Sequence, residues 1–272
     1  MSHEERSAKA ALAGKTILLT RARAQSEELV ALLESEGAKP LIFPVISIHA
    51  PSDPKPFESA VSALASYAWV VFTSANGARV TLEEIDRQKI SDAFDKTKIA
   101  VVGAATSRAI EAQGARVDLV AKEFVGDSLA EDLVRVLAPQ SRVLLLRAKS
   151  ARDVVPDALR AAGHSVDVVT AYETRAAVPA DTQNVVEALE RGKIDFVTFT
   201  SGSTVEHFCA LLGDRAAGLL AKTSVVSIGP VTTLAAEKAG IVVAATASPH
   251  TADAMVQAMC SSIDGAGSGK RD

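Results

Sequence analysis

The sequence predicts an α/β protein with two parallel sheets, each of five strands in a flavodoxin-like, doubly wound arrangement. Two observations predict this. First, the 272-residue chain repeats itself: ILLTRA at 17–22 matches VLLLRA at 143–148, at an offset of 126. WVVFTSANGARV at 69–80 matches FVTFTSGSTVEHF at 196–208 at 127, and IAVVGAAT at 99–106 matches VVSIGPVT at 225–232, with Gly103 and Gly229 again 126 apart. Landmarks recurring in one order at one spacing mark an internal duplication. Second, each half alternates short, almost continuously apolar β-branched runs with segments of helical period. That alternation is the signature of parallel strands covered by helices on both faces.

The elements follow in order. In the first half the apolar runs predict strands at about 17–21, 40–49, 69–74, 98–103 and 116–121; in the second, at about 142–148, 165–176, 195–201, 223–229 and 241–246. Helical patterns fill the gaps. QSEELVALLESEG sets Leu29, Leu32 and Leu33 on one face and stops at Gly37, and TSRAIEAQG and AAEKAG end the same way at Gly114 and Gly240. Two runs, KPLIFPVISIHA and SVDVVTAYETRA, occupy equivalent places and reach about 12 residues, roughly 40 Å at ~3.3 Å per residue, twice an ordinary strand. Each is either a strand that starts in one sheet and finishes elsewhere or a strand followed by a loop, and Pro44 argues against an interior sheet position. The polar start, 1–14, and the Gly/Ser-rich end, 265–272, predict unstructured tails.

Composition excludes several functions. Hydrophobic residues are 48% and charged residues 23%, as in globular domains. No run approaches the roughly 20 apolar residues of a membrane helix, and MSHEERSAKA lacks a signal-peptide core, so a cytoplasmic protein with no membrane partner is expected. A net charge of −4 and 4% aromatics disfavour nucleic acid. Cys209 and Cys260 form no CxxC pair, and the histidines at 3, 49, 164, 207 and 250 have no HExxH spacing, so no metal site is expected. GSGK at 267–270 lacks the full phosphate-loop spacing and follows no strand, and neither GxGxxG nor GxSxG follows any predicted strand. No cofactor is implied.

The turns carry the chemistry that remains. In an open parallel sheet, ligands bind where strands end and helices begin, because helix N-termini leave free N–H groups and partial positive charge. Here those turns are small and hydroxyl-rich: Thr73-Ser74-Ala75-Asn76-Gly77, Gly103-Ala104-Ala105-Thr106, Thr200-Ser201-Gly202-Ser203 and Gly229-Pro230-Val231-Thr232. Each hydroxyl either caps its helix or meets an anion. Basic residues end the remaining equivalent strands, Arg21 and Arg23 after the first, Arg147, Lys149 and Arg152 after its repeat. Arg21 and Arg147, immediately at the strand ends, are the candidates for carboxylate recognition.

Together ILLTR, VVFTSANG, VVGAAT, VVTAYET, FVTFTSGS, SIGPVTT and the TADAM segment make the chain, over roughly 15–260, resemble the uroporphyrinogen-III synthases. The resemblance implies two α/β domains, 15–44 with 175–264 and 49–168, joined by a two-stranded antiparallel β-ladder at 45–48 and 169–174, with the active cleft between them. It implies cyclisation of the linear tetrapyrrole hydroxymethylbilane to uroporphyrinogen III, with inversion of the last pyrrole ring and loss of water, by a monomeric enzyme using no cofactor. It also implies a transient hand-over of substrate from the preceding enzyme of the pathway. Tyr172, in TAYET, matches the family tyrosine proposed to help the hydroxyl leave; the alternative is a tyrosine packing at a domain junction. Ser74, Thr106, Ser201 and Thr232 match cleft-lining hydroxyls, with Gly202, Ser203 and Gly229 beside them, while Ala75-Asn76 and Gly202 stand where some members place proline. A second class, a two-lobed non-catalytic sensor of small anions, shares the architecture and would bind without turnover.

Overall fold

The structure is a computed structural model and describes residues 10–90, 92–121 and 126–267. Among the described residues eleven strands fall into two sheets. The first contains β1 (Thr16–Leu19), β2 (Lys39–Ile42), β9 (Phe196–Phe199), β10 (Ser224–Ser227) and β11 (Ala245–Thr246). The second contains β3 (Ile46–His49), β4 (Trp69–Phe72), β5 (Lys98–Val101), β6 (Leu119–Val120), β7 (Arg142–Ala148) and β8 (Ser165–Ala176).

The first sheet runs β11-β10-β9-β1-β2, all parallel. Numbered by role, that is the flavodoxin order 2-1-3-4-5. Its first two strands come from the first half of the chain and its last three from the second half. The second sheet, β3-β8-β7-β4-β5-β6, repeats that order from β8 to β6 with the contributions exchanged, and the pairings from β8 to β6 are all parallel. The first half of the duplication thus supplies two strands to the first sheet and four, counting β3, to the second, and the second half supplies three and two. Two compact units result: one comprises the described residues through Ser47 and from Ala176 on, the other Ile48–Arg175.

The two long runs behave differently. The first breaks at 43–45, so that β2 belongs to one sheet and β3 to the other, beside β8; Pro44, which has no N–H to give a ladder, stands in the break. The second stays unbroken through 12 residues, and beyond its end Ala177 N–H donates to Val45 O at 2.9 Å. Two edge runs shrink: 116–121 pairs only at β6 and 241–246 only at β11, and Val242 is 85% exposed.

Helices cover both faces of each sheet. In the first, α1 (Glu27–Ser35) and α11 (Ala252–Gly267) lie on one side, where Leu29, Leu33, Met255 and Met259 enclose Ile17 and Leu19. On the other side α7 (Thr182–Glu190), α8 (Gly202–Leu212), α9 (Ala216–Leu219) and α10 (Pro230–Lys238) cover Leu18, Val197 and Phe199, with Phe199 meeting Phe208 edge-on at 5.3 Å. In the second sheet α2 (Lys55–Ser62), α3 (Ala75–Gln88) and α4 (Ala104–Glu111) cover Val70, Phe72 and Leu146, while α5 (Gly126–Val136) and α6 (Val154–Ala161) cover Trp69, Val71 and Leu145. Each buried Leu or Val contributes about 1.5–3 kcal/mol, so β-strands buried on both faces hold these units together.

The expectation of unstructured tails at 1–14 and 265–272 gives way near the core. Residues 11–14 turn under α1, where Leu12 is fully buried among Leu33 and the α11 side chains, and α11 itself continues to Gly267. Residues 1–9 and 268–272, with most of the GSGK segment, lie outside the described residues. Among the described residues no helix is long and apolar enough to cross a membrane.

Candidate active site

In each sheet the strand order reverses between role 1 and role 3, at β1/β9 and at β7/β4. The registers place Leu19 beside Thr198 in one and Leu146 beside Phe72 in the other. Ligands of doubly wound sheets sit at such reversals, outside the carboxyl ends of the strands. The predicted residues distribute accordingly: Arg21 and Ser201 end the adjacent strands of one reversal, Arg147 and Ser74 those of the other. Thr20 Oγ1 donates to Thr198 O at 2.8 Å and Thr198 Oγ1 to Leu18 O at 3.3 Å, side-chain stitches that fix the first reversal.

At the second reversal Ser74, in extended backbone, is the N-cap of α3 and its Oγ accepts from Gly77 N–H at 3.1 Å. The same Oγ lies 2.9 Å from the phenol oxygen of Tyr172, which arrives from β8, 98 residues later in the chain. A hydroxyl has two acceptor positions and one hydrogen. Either hydroxyl of this pair can donate; where the phenol does, Ser74 accepts from both Gly77 and Tyr172 and its own hydrogen is left to donate elsewhere. Tyr172 itself is buried, 5% exposed, against the α3 side of the sheet. Gly77 makes room: a Cβ there would lie 3.3 Å from Leu146 O, 3.4 Å from Ser74 Oγ and 3.8 Å from the Tyr172 ring.

Tyr172 is held by a feature that strand pattern alone did not predict. In the β7–β8 register Arg147 pairs with Thr170 but Ala148 pairs with Tyr172, which leaves Ala171 as an extra residue. Such a bulge re-aims the side chains beyond it. Next along, the Glu173 carboxylate accepts from Ser52 Oγ at 2.6 Å, Ser52 N–H at 3.0 Å, Lys149 Nζ at 3.1 Å and Arg175 at 3.1 Å. The Ser52 side chain and amide, then Lys149 and Arg175, hold this carboxyl down at about 2. No sequence signal singles out Glu173, because β8 also carries Asp167, Thr170, Thr174 and Arg175.

At the first reversal Ser201 caps α8 within its own loop. Its Oγ accepts from Thr204 N–H at 3.3 Å and pairs with Ser203 Oγ at 2.9 Å, while Thr204 Oγ1 donates to Ser201 O at 2.7 Å and accepts from Ser201 N–H at 3.3 Å. Gly202 faces Ala235 at an ordinary 3.5 Å, so no crowding demands glycine there. Gly229 is different: a Cβ would come within 2.8 Å of His250 Nδ1, which closes over the start of α10.

Three predicted residues sit otherwise than expected. Thr106 and Thr232, at equivalent third positions of α4 and α10, are 2% and 3% exposed, so each packs inward rather than lining a surface. At the third helical position the side chain turns back onto the strand it follows. Arg147 is committed to its own loop, donating to Arg152 O at 2.8 Å and Asp153 Oδ1 at 2.6 Å, so its carboxylate fork is filled from within. Lys149 is committed to Glu173. Arg21 follows β1, half-buried.

Elsewhere, Tyr67, Asp167 and Arg142 form a cluster at the opposite, amino ends of β7 and β8: Tyr67 O–H donates to Asp167 at 2.8 Å and the Arg142 guanidinium stacks over its ring at 4.2 Å. Burial, then the Asp167 hydrogen bond and charge, push the Tyr67 phenol up to about 12. That places this cluster with the scaffold. Among the described residues no group of three His, Cys, Asp or Glu side chains is placed to hold a metal.

Comparison with known proteins agrees with this architecture. The family model of the uroporphyrinogen-III synthase HemD matches residues 27–257. A uroporphyrinogen-III synthase of Synechococcus elongatus is 32% identical over 255 residues, 91% of this chain and 95% of that one. The fold is that of a mutant uroporphyrinogen III synthase from Thermus thermophilus (TM-score 0.62, 21% identity, 93% of this chain and 100% of that one). It is also that of the uroporphyrinogen-III synthetase of Helicobacter pylori (0.60, 18%, 91% and 99%). A model covering nearly the whole repeat, and a full-length relative above 30% identity, make the chain a member of the uroporphyrinogen-III synthase family.

Proposed function

We propose that this chain converts hydroxymethylbilane to uroporphyrinogen III, and that Tyr172 acting through Ser74 supplies the proton that lets the terminal hydroxyl leave. Family membership supports the reaction; the 2.9 Å contact between the two hydroxyls at the β4 strand end carries the residue assignment. The terminal ring of this linear tetrapyrrole is an electron-rich pyrrole bearing a hydroxymethyl group. Its carbon–oxygen bond breaks with the electron pair going to oxygen, the ring nitrogen, keeping its hydrogen, donates its lone pair, and an N-protonated azafulvene cation forms. The departing oxygen takes the Ser74 hydrogen, Ser74 takes that of Tyr172, and water leaves. A phenol is protonated at neutral pH and suits this task.

The last ring then attacks through its substituted carbon, passes through a spiro intermediate, fragments and recloses; the ring proton released at the end returns to Tyr172. Uncatalysed closure goes through the unsubstituted carbon and gives the unrotated isomer. The protein therefore gains most by holding one folded substrate conformation. The amides at the starts of α3, α8 and α10, with Arg21, are the groups we assign to the substrate's carboxylates. Thr106, Thr232 and Arg147 act from behind, shaping those corners.

We further take the enzyme to work as a cytoplasmic monomer that receives its substrate by transient hand-over, as its family implies; Tyr172, Ser74 and the groups that hold them come from one chain. The test is direct: hydroxymethylbilane in, uroporphyrinogen isomers out by chromatography. Isomer III at a rate proportional to enzyme supports the reading. Only the unrotated isomer, at the uncatalysed rate, would mean a binder without turnover.

A further inference from the structure

We infer that Glu173 is a positioning residue for Tyr172, and that the Ala171 bulge with the Ser52–Glu173–Lys149 contacts sets the direction of the phenol. The inference rests on the reading of Tyr172 as the proton source. Along β8 the alternation is regular at first: Val166 and Val168 pack on the α5/α6 side and Val169 and Ala171 on the α3 side. Strict alternation would turn Tyr172 back towards α5 and α6. Instead Ala171 and Tyr172, consecutive in sequence, join the same cluster under α3, because the extra residue at 171 resets the phase.

A reset of phase in mid-strand holds only if something pins the chain beyond it. Two anchors do so. Lys149 N–H donates to Tyr172 O at 3.1 Å, and its ammonium reaches Glu173 from the same residue. Ser52, in the segment after β3, reaches Glu173 through both side chain and main chain, 121 residues away in sequence. Glu173 accepts four hydrogen bonds from three residues, and Glu173→Gln keeps one acceptor oxygen while removing the charge that Lys149 and Arg175 answer and placing an NH2 donor among donors. Slippage of one residue would return Tyr172 to the other face and separate it from Ser74.

The test uses the full chain, whose two tyrosines allow labelling with 3-fluorotyrosine; the Tyr172 signal is the one lost in Tyr172→Phe. In Glu173→Gln the Tyr172 fluorine resonance should shift or split while that of Tyr67 stays. Turnover should fall about tenfold to a hundredfold in kcat with KM little changed, since misplacement of a reacting group by ~1 Å costs on that order. The double variant Tyr172→Phe/Glu173→Gln should be no slower than Tyr172→Phe alone. Ser52→Ala, a milder change, should move the same resonance in the same direction and guards against a Glu173→Gln protein that does not fold. An unmoved Tyr172 resonance in both variants overturns the proposal, whatever the activity. Multiplying rate losses in the double variant overturn it too, while leaving Tyr172 as proton source intact; a full-rate Tyr172→Phe sinks that reading instead.

Discussion

At Ser74 and at Ser201 the chain leaves a four-residue strand in extended backbone and enters a helix whose third amide the serine oxygen accepts. From there the two corners diverge over the first three helical residues, Ala75-Asn76-Gly77 against Gly202-Ser203-Thr204. The third helical residue is Thr204 in one, whose hydroxyl closes a capping box with Ser201, and Gly77 in the other, which has no side chain. Ser201 Oγ has Ser203 Oγ beside it at 2.9 Å, whereas Ser74 has Asn76 at that position and the Tyr172 phenol takes the place, with Gly77 leaving it room. At the 126-residue offset from Tyr172 stands Ile46, buried in the core of the other unit. Duplication therefore produced two equal corners, of which one satisfies itself locally and the other spends its serine on a long-range hydroxyl pair.

The largest effect should come from breaking that pair. Tyr172→Phe removes the phenol with little change in packing, and turnover should slow about 10²–10⁴-fold, the usual worth of a positioned acid. The product should remain isomer III, because folding of the substrate is a separate contribution. Steady-state rates with chromatographic separation of isomers measure both. An unchanged rate with a lowered melting temperature would make Tyr172 a packing residue, the alternative that its burial keeps open.

Next comes the exchange of one corner's residue into the other. Gly77→Thr places a Cβ 3.3 Å from Leu146 O and offers Ser74 a local partner. Crowding of this kind costs about 1–3 kcal/mol. The expected outcome is a destabilised protein whose remaining folded fraction turns over nearly as slowly as Tyr172→Phe. A fully active Gly77→Thr would show that the Ser74–Tyr172 contact has no part in the rate.

Much of this fold was legible in the sequence, for a physical reason. Parallel strands buried on both faces must be apolar throughout, so ILLT, WVVF, VLLL and FVTF announce themselves, and a duplication preserves their spacing. Which sheet each half joins was not legible from those runs, because the runs of one half pair with those of the other. The site was legible by residue type and less so by direction. Thr106 and Thr232 were recognisable as corner hydroxyls, yet a threonine at the third helical position reads the same whether it faces inwards or outwards, and both face inwards. Arg147 ends its strand as expected, but its partner Asp153 belongs to a loop closure that no strand pattern records. Glu173 was missed because its partner Ser52 lies 121 residues away and the bulge at Ala171 leaves no mark in composition.

The two units should also differ in acid. Glu84, held low first by Arg87, Asp167, held low first by Tyr67, and Glu173, held at about 2, all belong to the unit of Ile48–Arg175. A carboxyl lowered on folding stabilises fully above its unfolded value, and that stability is lost as pH falls towards the folded value. For Glu173 the window runs from its ordinary 4.5 down to about 2. Hydrogen exchange at pH 3 should therefore show β7 and β8 amides losing protection relative to pH 7 before those of β1 and β9. Glu173→Gln should weaken β8 already at pH 7 and flatten its further loss below pH 4.5. Equal loss in both sheets would remove the carboxylates from the account.

The smallest effect tests the self-satisfied corner. Thr204→Ala opens the capping box at Ser201: the acceptor for Ser201 N–H and the donor to Ser201 O both disappear, while Ser201 Oγ still accepts from the helix. Loss of such a cap costs about 0.5–2 kcal/mol, readable as a lower midpoint in urea with an unchanged slope. Because these bonds are local to α8, and the proton source sits at the other corner, isomer III should still form at close to the parent rate. Ser201 Oγ keeps Ser203 Oγ beside it at 2.9 Å, and Ile46 stands at the 126-residue offset from Tyr172, so opening this corner should not bring in a tyrosine partner. A rate loss as large as that of Tyr172→Phe in a folded Thr204→Ala protein would mean that the Ser201 corner shares in the chemistry and that the duplicated halves divide the work more evenly than their hydrogen bonds indicate.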